Sequence, residues 1–332
     1  MSNRIWLPFK HCLRRSLNGG IGFALLLTLA TCAGGGSQTS ALEQRGLQLV
    51  WRDSFSTKAG EAPSAQVLFG DKGLYSEWIR ARSQAPGEHR SIAPAPDGRM
   101  ALQFTIPEGR VPHGQFASLH WPDGVTHAGL AVDVWVPGDF EYPTQCLPSS
   151  WSRYPGTGRW PIGLWIGGSA RGALAGGVPI PGQKGISVRL NRGSGGDPAG
   201  QGASFSAYVY HLNRWLPKCT KDGAPCSASC KFPSEPAERC YGGGLKTKSG
   251  VTPRDRWVTV ELEVKMDEPG RNNGCVAFWV DGSMVDQNCN FDFGKDRGWL
   301  IRGYYAYHMW HCDGSSRTQQ WWMSNIRMYG PG

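Results

Sequence analysis

Two short segments of this 332-residue chain carry side chains suited to holding a negative charge and moving a proton. In Ile186-Ser187-Val188-Arg189-Leu190-Asn191 the apolar residues alternate with Ser187, Arg189 and Asn191. In Phe205-Ser206-Ala207-Tyr208-Val209-Tyr210 they alternate with Ser206, Tyr208 and Tyr210. Successive side chains of a strand point to opposite faces, so each segment predicts a strand with its apolar face turned in and its polar face turned out. A guanidinium grips a carboxylate at two points and stays charged at any working pH, and a phenol donates or accepts a proton. If the two strands are neighbours in one curved sheet, Ser187, Arg189, Tyr208 and Tyr210 form a cluster of the kind that handles an acidic sugar. The alternative is that they are ordinary solvent-facing strand residues of good β-propensity.

The rest of the chain supplies the strands that would hold such a cluster. Leu102, Phe104 and Ile106 alternate with polar neighbours, as do Leu130, Val132, Val134 and Val136, and Val258, Val260, Leu262 and Val264. Further strands are expected at 162–167, 275–280, 284–289, 299–309 and 321–329, separated by Gly, Pro and Asp turns. With 46 Gly and 23 Pro scattered without a three-residue period, collagen is excluded and a bundle of long helices disfavoured. Hydrophobic residues at 40% against 18% charged exclude a disordered chain. The expected fold class is all-β, a β-jelly-roll sandwich of antiparallel strands with a cysteine-rich loop insertion at 213–255. Residues 48–332 are expected to form one such domain, behind a flexible linker at 33–47. A second, Gly-rich insertion follows Arg192. There is no internal repeat, and no GxGxxG or P-loop pattern, so no cofactor is called for.

The first residues read as an export signal. Arg4, Lys10, Arg14 and Arg15 precede the apolar run from Ile21 to Ala30, about half the length that spans a bilayer. The sequence Leu29-Ala30-Thr31-Cys32 resembles a bacterial lipobox, which would make residues 1–32 a signal peptide and Cys32 an acylated anchor. Ordinary cleavage after Ala30 or Ala33 is the alternative. Removing residues 1–33 takes away four basic residues and no acid, so the net charge of +9 less 4 leaves +5. A polyanionic partner fits that balance. The reading is of a monomer that binds no nucleic acid and meets a membrane only through Cys32.

Eight cysteines remain: Cys146, Cys219, Cys226, Cys230, Cys240, Cys275, Cys289 and Cys312. An oxidising compartment would let them form up to four disulfides. A three-residue loop Asp281-Gly282-Ser283 would set Cys275 opposite Cys289 in a hairpin and predicts a disulfide there. A two-residue Asp-Gly turn would instead set Cys275 against Asn288. Zinc is the rival reading for Cys219, Cys226, Cys230 and Cys240, but paired Cys-x-x-Cys knuckles are absent and disulfides are preferred, so no metal is expected.

Taken in order, Arg159-Trp-Pro-Ile-Gly-Leu-Trp-Ile-Gly-Gly168, Ser187-x-Arg189, Tyr208-x-Tyr210, Trp257, Phe278-Trp-Val-Asp-Gly282 and Arg302-Gly-Tyr-Tyr305 resemble polysaccharide lyase family 14. The likeness spans roughly residues 115 to 330. It implies a jelly roll whose cleft is lined by Ser187, Arg189, Tyr208 and Tyr210, with Arg159 nearest to the position where the family carries a basic residue, usually Lys, against the substrate carboxylate. The activity it implies is β-elimination on a uronate polymer, alginate or glucuronan-like. Removing the C5 proton of a uronate requires its carboxylate to be neutralised. Arg189 would do this, Arg159 assisting and Ser187 donating a hydrogen bond to the developing charge. Tyr210 would take the proton as base and also serve as acid, with Tyr208 positioning the sugar or sharing the transfer. Asn191, Trp165 and His308 complete the expected substrate-binding set, with His308 an alternative base and Trp160, Trp165, Trp310, Trp321 and Trp322 candidate stacking platforms. Two other readings stay open. One is a non-catalytic carbohydrate-binding protein on the same scaffold, and the other, weaker, a glycosidase using Glu261 and Glu263.

Overall fold

The computed structural model describes residues 39–56, 90–109, 113–141, 158–159, 162–168, 185–194, 203–211, 243–246, 253–310 and 315–332. In chain order these form α1 (Ala41–Gln44), β1 (Leu47–Asp53), β2 (Arg90–Pro94), β3 (Met100–Ile106), β4 (His113–Val125), β5 (His127–Trp135), β6 (Gly158–Arg159), β7 (Ile162–Gly167) and β8 (Gly185–Ser194). They continue with β9 (Ala203–Val209), β10 (Gly243–Lys246), β11 (Trp257–Lys265), β12 (Gly274–Val280), β13 (Ser283–Phe291), β14 (Leu300–Trp310) and β15 (Gln319–Pro331).

The strands make two antiparallel sheets. One runs β13-β12-β11-β5-β15-β3-β2, with β1 also on β15; the other runs β10-β9-β8-β7-β14-β4, with β6 also on β14. Their inner faces meet in one apolar core, to which the first sheet gives Leu130, Val132, Leu262 and Phe278 and the second Leu164, Val188, Val209 and Tyr304. This two-layer, all-β arrangement is the expected jelly-roll architecture. It follows from the period-two pattern, which sorts each strand into an apolar face turned to the core and a second face turned away from it.

Three sequence expectations change. Ser40, placed in the linker, instead caps α1: its hydroxyl accepts from the Glu43 N–H while the Glu43 carboxylate accepts from the Ser40 N–H. Leu42 is fully buried, so ordered chain begins before residue 48. The 213–255 insertion contains β10, which pairs with β9 and so returns to the sheet. The strand β4 was not foreseen, because Trp121-Pro122-Asp123-Gly124 reads as a turn. It tolerates a proline because residues 121–124 form a bulge without partners in the register, between His120 opposite Gly303 and Val125 opposite Ile301.

The hairpin of β12 and β13 corrects the expected loop and keeps the disulfide. Val280 faces Ser283 across a two-residue Asp281-Gly282 turn, with both residues at positive φ (49° and 72°). Trp279 then faces Met284 but Phe278 faces Asp286, so a bulge at Val285 adds back the residue that the shorter turn removes. Val276 therefore faces Asn288, and Cys275 is joined to Cys289 with an S–S distance of 2.07 Å. Cys146, Cys219, Cys226, Cys230, Cys240 and Cys312 lie outside the described residues, and with them the zinc alternative.

Candidate active site

The segments 186–191 and 205–210 are neighbours in one sheet. In β8 and β9, Arg189 stands opposite Tyr208, and one step further the Tyr210 N–H donates to the Ser187 carbonyl at 3.0 Å. Alternation does what the pattern predicts: Ile186, Val188, Leu190, Phe205, Ala207 and Val209 enter the core, leaving Ser187, Arg189 and Tyr208 for the other face. That face is not open, however. Ser187 is fully buried, and Arg189 and Tyr210 are only 4% and 7% exposed, while Tyr208 is half-buried.

A guanidinium that has lost its water needs hydrogen bonds and polarisable neighbours to hold its charge. Among the partners of Arg189, Ser187 Oγ accepts from Nε at 2.9 Å, and Cζ lies 5.0 Å from the centre of the Tyr210 ring. Such a cation on the face of an aromatic ring is stabilised by the ring's negative quadrupole. Tyr208 meets Tyr210 edge to face, with centroids 5.0 Å apart and planes at 73°. Ser187, Arg189, Tyr208 and Tyr210 thus form one connected group: a fixed positive charge, a hydroxyl and two phenols. The arrangement can neutralise an anion and exchange a proton at an adjacent atom.

The other expected residues separate. Trp165 faces Ser187 in the β7–β8 register, but its indole is only 3% exposed, which leaves it a wall of the group rather than an open stacking platform. It lies tight over Gly185, where an added Cβ would come 2.9 Å from Trp165 Nε1 and 2.5 Å from the Ile166 carbonyl oxygen. Trp321 packs in the core, stacked on Phe104 at 4.1 Å, and Trp322 is buried on the outer side of the other sheet; neither can stack a sugar beside Arg189. Arg159, Asn191 and His308 are placed by their backbone alone, and their side chains lie outside the described residues, as do those of Trp160 and Trp310. Asn191 faces Ser206, one row beyond Arg189 and Tyr208 on the same face. Arg159 faces Met309, and His308 faces Gly114.

Glu261 and Glu263 do not form a hydrolytic pair. They lie on the outer face of the first sheet, nearly fully buried beside α1. Glu263 pairs with Arg45, and its Oε1 is 2.7 Å from His127 Nε2. Burial pushes the Glu261 carboxyl above its usual range, against the pull of Arg327 and the N–H groups of Ala41 and Leu42. Both carboxylates secure the N-terminal turn to the sheet. Arg302, part of the motif at the start of β14, bulges out of the ladder and donates to the Gly167 and Gly168 carbonyls at 3.2 and 3.3 Å, securing the end of β7.

Sequence reading named Trp165 but gave no role to Gly163, Gly303 or Tyr305, whose backbone positions continue this row across the sheet. Arg189 faces Gly163, Gly163 faces Tyr305, and Trp165 faces Gly303. The signal was present in the strand patterns at 162–167 and 299–309, but which strands lie side by side depends on topology.

No family model matches the sequence, and no curated protein sequence does. Solved structures share its fold. The marine PL-14 alginate lyase from Aplysia kurodai superposes with a TM-score of 0.58 at 16% identity, over 86% of this chain and all of the other. A double mutant of the alginate lyase Aly36B, in complex with an alginate tetrasaccharide, gives 0.54 at 16% identity, over 83% and 95%. The alginate lyase vAL-1 from Chlorella virus gives 0.52 at 14% identity, over 85% and 100%. At such identities the likeness establishes a common architecture.

Proposed function

We propose that this chain is a polysaccharide lyase that cleaves a uronate-containing polymer, alginate or glucuronan-like, by β-elimination. The observation that carries the reading is the buried contact of Arg189 with Ser187 Oγ and the Tyr210 ring, on the outer face of a jelly-roll sheet. The alginate lyases that share the fold support it from outside the chain.

In this reading the uronate carboxylate docks on Arg189, whose charge offsets the negative charge that builds as C5 loses its proton. Ser187, held by Arg189 Nε, is placed for a hydrogen bond to the same enolate-like oxygens. Tyr210 takes the C5 proton, and Tyr208, the more accessible of the two phenols, positions the sugar. Arg159 and Asn191 extend the binding surface along the polymer. The protein is read as exported, anchored through Cys32 or freely secreted, and acting as a monomer; a formed Cys275–Cys289 disulfide suits an oxidising compartment.

Product masses test the reaction. Elimination leaves oligomers one water lighter than those of hydrolysis, with an unsaturated sugar at the new non-reducing end. Such products from alginate or glucuronan support the reading. Fully hydrated products contradict it, and so does an intact polymer that merely retards the protein in a gel, the behaviour of a binding module.

A further inference from the structure

The outer face of the first sheet carries α1, a helix of four residues that is too short to hold its shape alone. Leu42 is its anchor. It is fully buried, and its Cδ atoms occupy the space that a side chain at Gly129 would need, 2.8 and 2.9 Å from an added Cβ. Ala131, Ala277, Trp279 and Tyr329 complete the hollow. At the end of α1, Arg45 pairs with Glu263 and lies 5.7 Å from the centre of the Trp279 ring. Gly46 follows at a φ of 82°, a conformation that glycine adopts freely, and the chain turns there into β1.

Beneath α1 lies Glu261, 3% exposed. Its Oε1 has no hydrogen-bond partner, and the carboxyl draws on the N–H groups of Ala41 and Leu42, which belong to α1 itself. The charges around it make good little of the lost water. Arg327 of β15 stands across Ala131, but its Nη2 donates to Asp133 at 3.3 Å. Arg52 of β1 is one strand further, opposite Arg327. Glu43 of α1 adds a like charge, and the phenol of Tyr329 is neutral. Glu263, next on the same face of β11, is taken up by Arg45 and by His127 of β5. Ala277 and Trp279 of β12 bring no charge. A buried carboxylate so placed is costly, and the neutral acid much less so.

We propose that α1 is a proton-controlled strap, lying firmly on the sheet while Glu261 is neutral and lifting more readily as Glu261 ionises. Lifting brings water to the carboxylate and removes Glu43 from beside it. It also uncovers the hollow at Trp279 and frees residues 39–46, roughly 25 Å of extended chain ahead of β1. In the anchored form of the reading above, the strap sets how far the body stands from Cys32. The device does not depend on the lyase reading, because Arg189 lies on the other sheet. Its sign follows from linkage. Glu261 binds its proton more tightly in the closed form, so closure is fully favoured below about pH 4.5 and weakens as pH rises toward the higher value of the closed form.

Hydrogen exchange of the full folded chain tests this, read by mass spectrometry on peptides covering 39–46 and corrected for the intrinsic rate at each pH. Protection of these residues falls by up to tenfold per pH unit above 4.5 and levels off once Glu261 is ionised, while β5 and β11 keep theirs. Glu261→Gln, which cannot ionise, gives a flat profile. His127→Gln removes the other titrating side chain nearby and leaves the slope of wild type. A wild-type profile without slope, a slope that survives Glu261→Gln or vanishes in His127→Gln, or a loss of protection shared equally by β5 and β11 overturns the proposal.

Discussion

A guanidinium that is 4% exposed has little water to share its charge, so its neighbours decide what Arg189 does. Its Nε is fixed on Ser187 Oγ and its plane lies by the Tyr210 ring, which holds the fork in one orientation. Arg189→Ala is expected to lower kcat/KM at least 100-fold. Arg189→Lys recovers little of that loss, because an ammonium keeps the charge but offers neither the planar fork nor the Nε donor. Ser187→Ala removes one hydrogen bond to a charged group, about 2 kcal/mol, or roughly 30-fold in kcat/KM. Tyr210→Phe keeps the ring under Arg189 and removes only the hydroxyl, so it lowers kcat by about 100-fold or more with little change in melting temperature. Steady-state kinetics on a defined uronate oligomer separates these effects.

At the scale of elements, the site depends on β7 and β8 lying close, and at Gly185 there is no room between them for a side chain. Any Cβ there meets the backbone oxygen of Ile166 at 2.5 Å, which no rotamer change relieves. Gly185→Ala should therefore destabilise the protein by about 2 kcal/mol, measured by urea unfolding, and displace Trp165 from beside Ser187. Strands such as β5, β8 and β11 were legible in the sequence because each turns one face into the apolar core, so the residues of that face recur with period two. What was not legible comes from pairing. Nothing local in Trp121-Pro122-Asp123-Gly124 distinguishes a turn from the end of an edge strand. The bulge at Val285 that rescues the Cys275–Cys289 pairing shows only in the register. The same holds for the site: Ser187, Arg189, Tyr208 and Tyr210 could be read from two strands, whereas the place of Gly163 opposite Arg189 follows only from the strand order. Burial was misjudged for a related reason, since alternation tells which face a residue takes but not what covers that face.

For the whole molecule, the two outer faces of the sandwich have separate tasks. One carries the proposed catalytic group; the other carries α1, held by Glu261 and Glu263. Glu261 titrates above its usual value of 4.5, chiefly because burial disfavours its charge. The folded chain thus binds this proton more tightly than the unfolded chain. Stability from this group is full below about pH 4.5 and declines as pH rises through the raised folded value. Glu261→Gln cannot ionise, so the fall in melting temperature from pH 4.5 toward neutrality should be shallower than in wild type, while kcat, governed from the opposite face, stays unchanged. The activity itself is most directly tested by ultraviolet absorbance while the purified protein is incubated with alginate blocks, glucuronan and a neutral glucan. A C4–C5 double-bond signal that grows on a uronate polymer, not on the glucan, and disappears in Arg189→Ala is the expected result. A flat trace on every uronate, or a signal that Arg189→Ala leaves intact, would contradict the proposed chemistry.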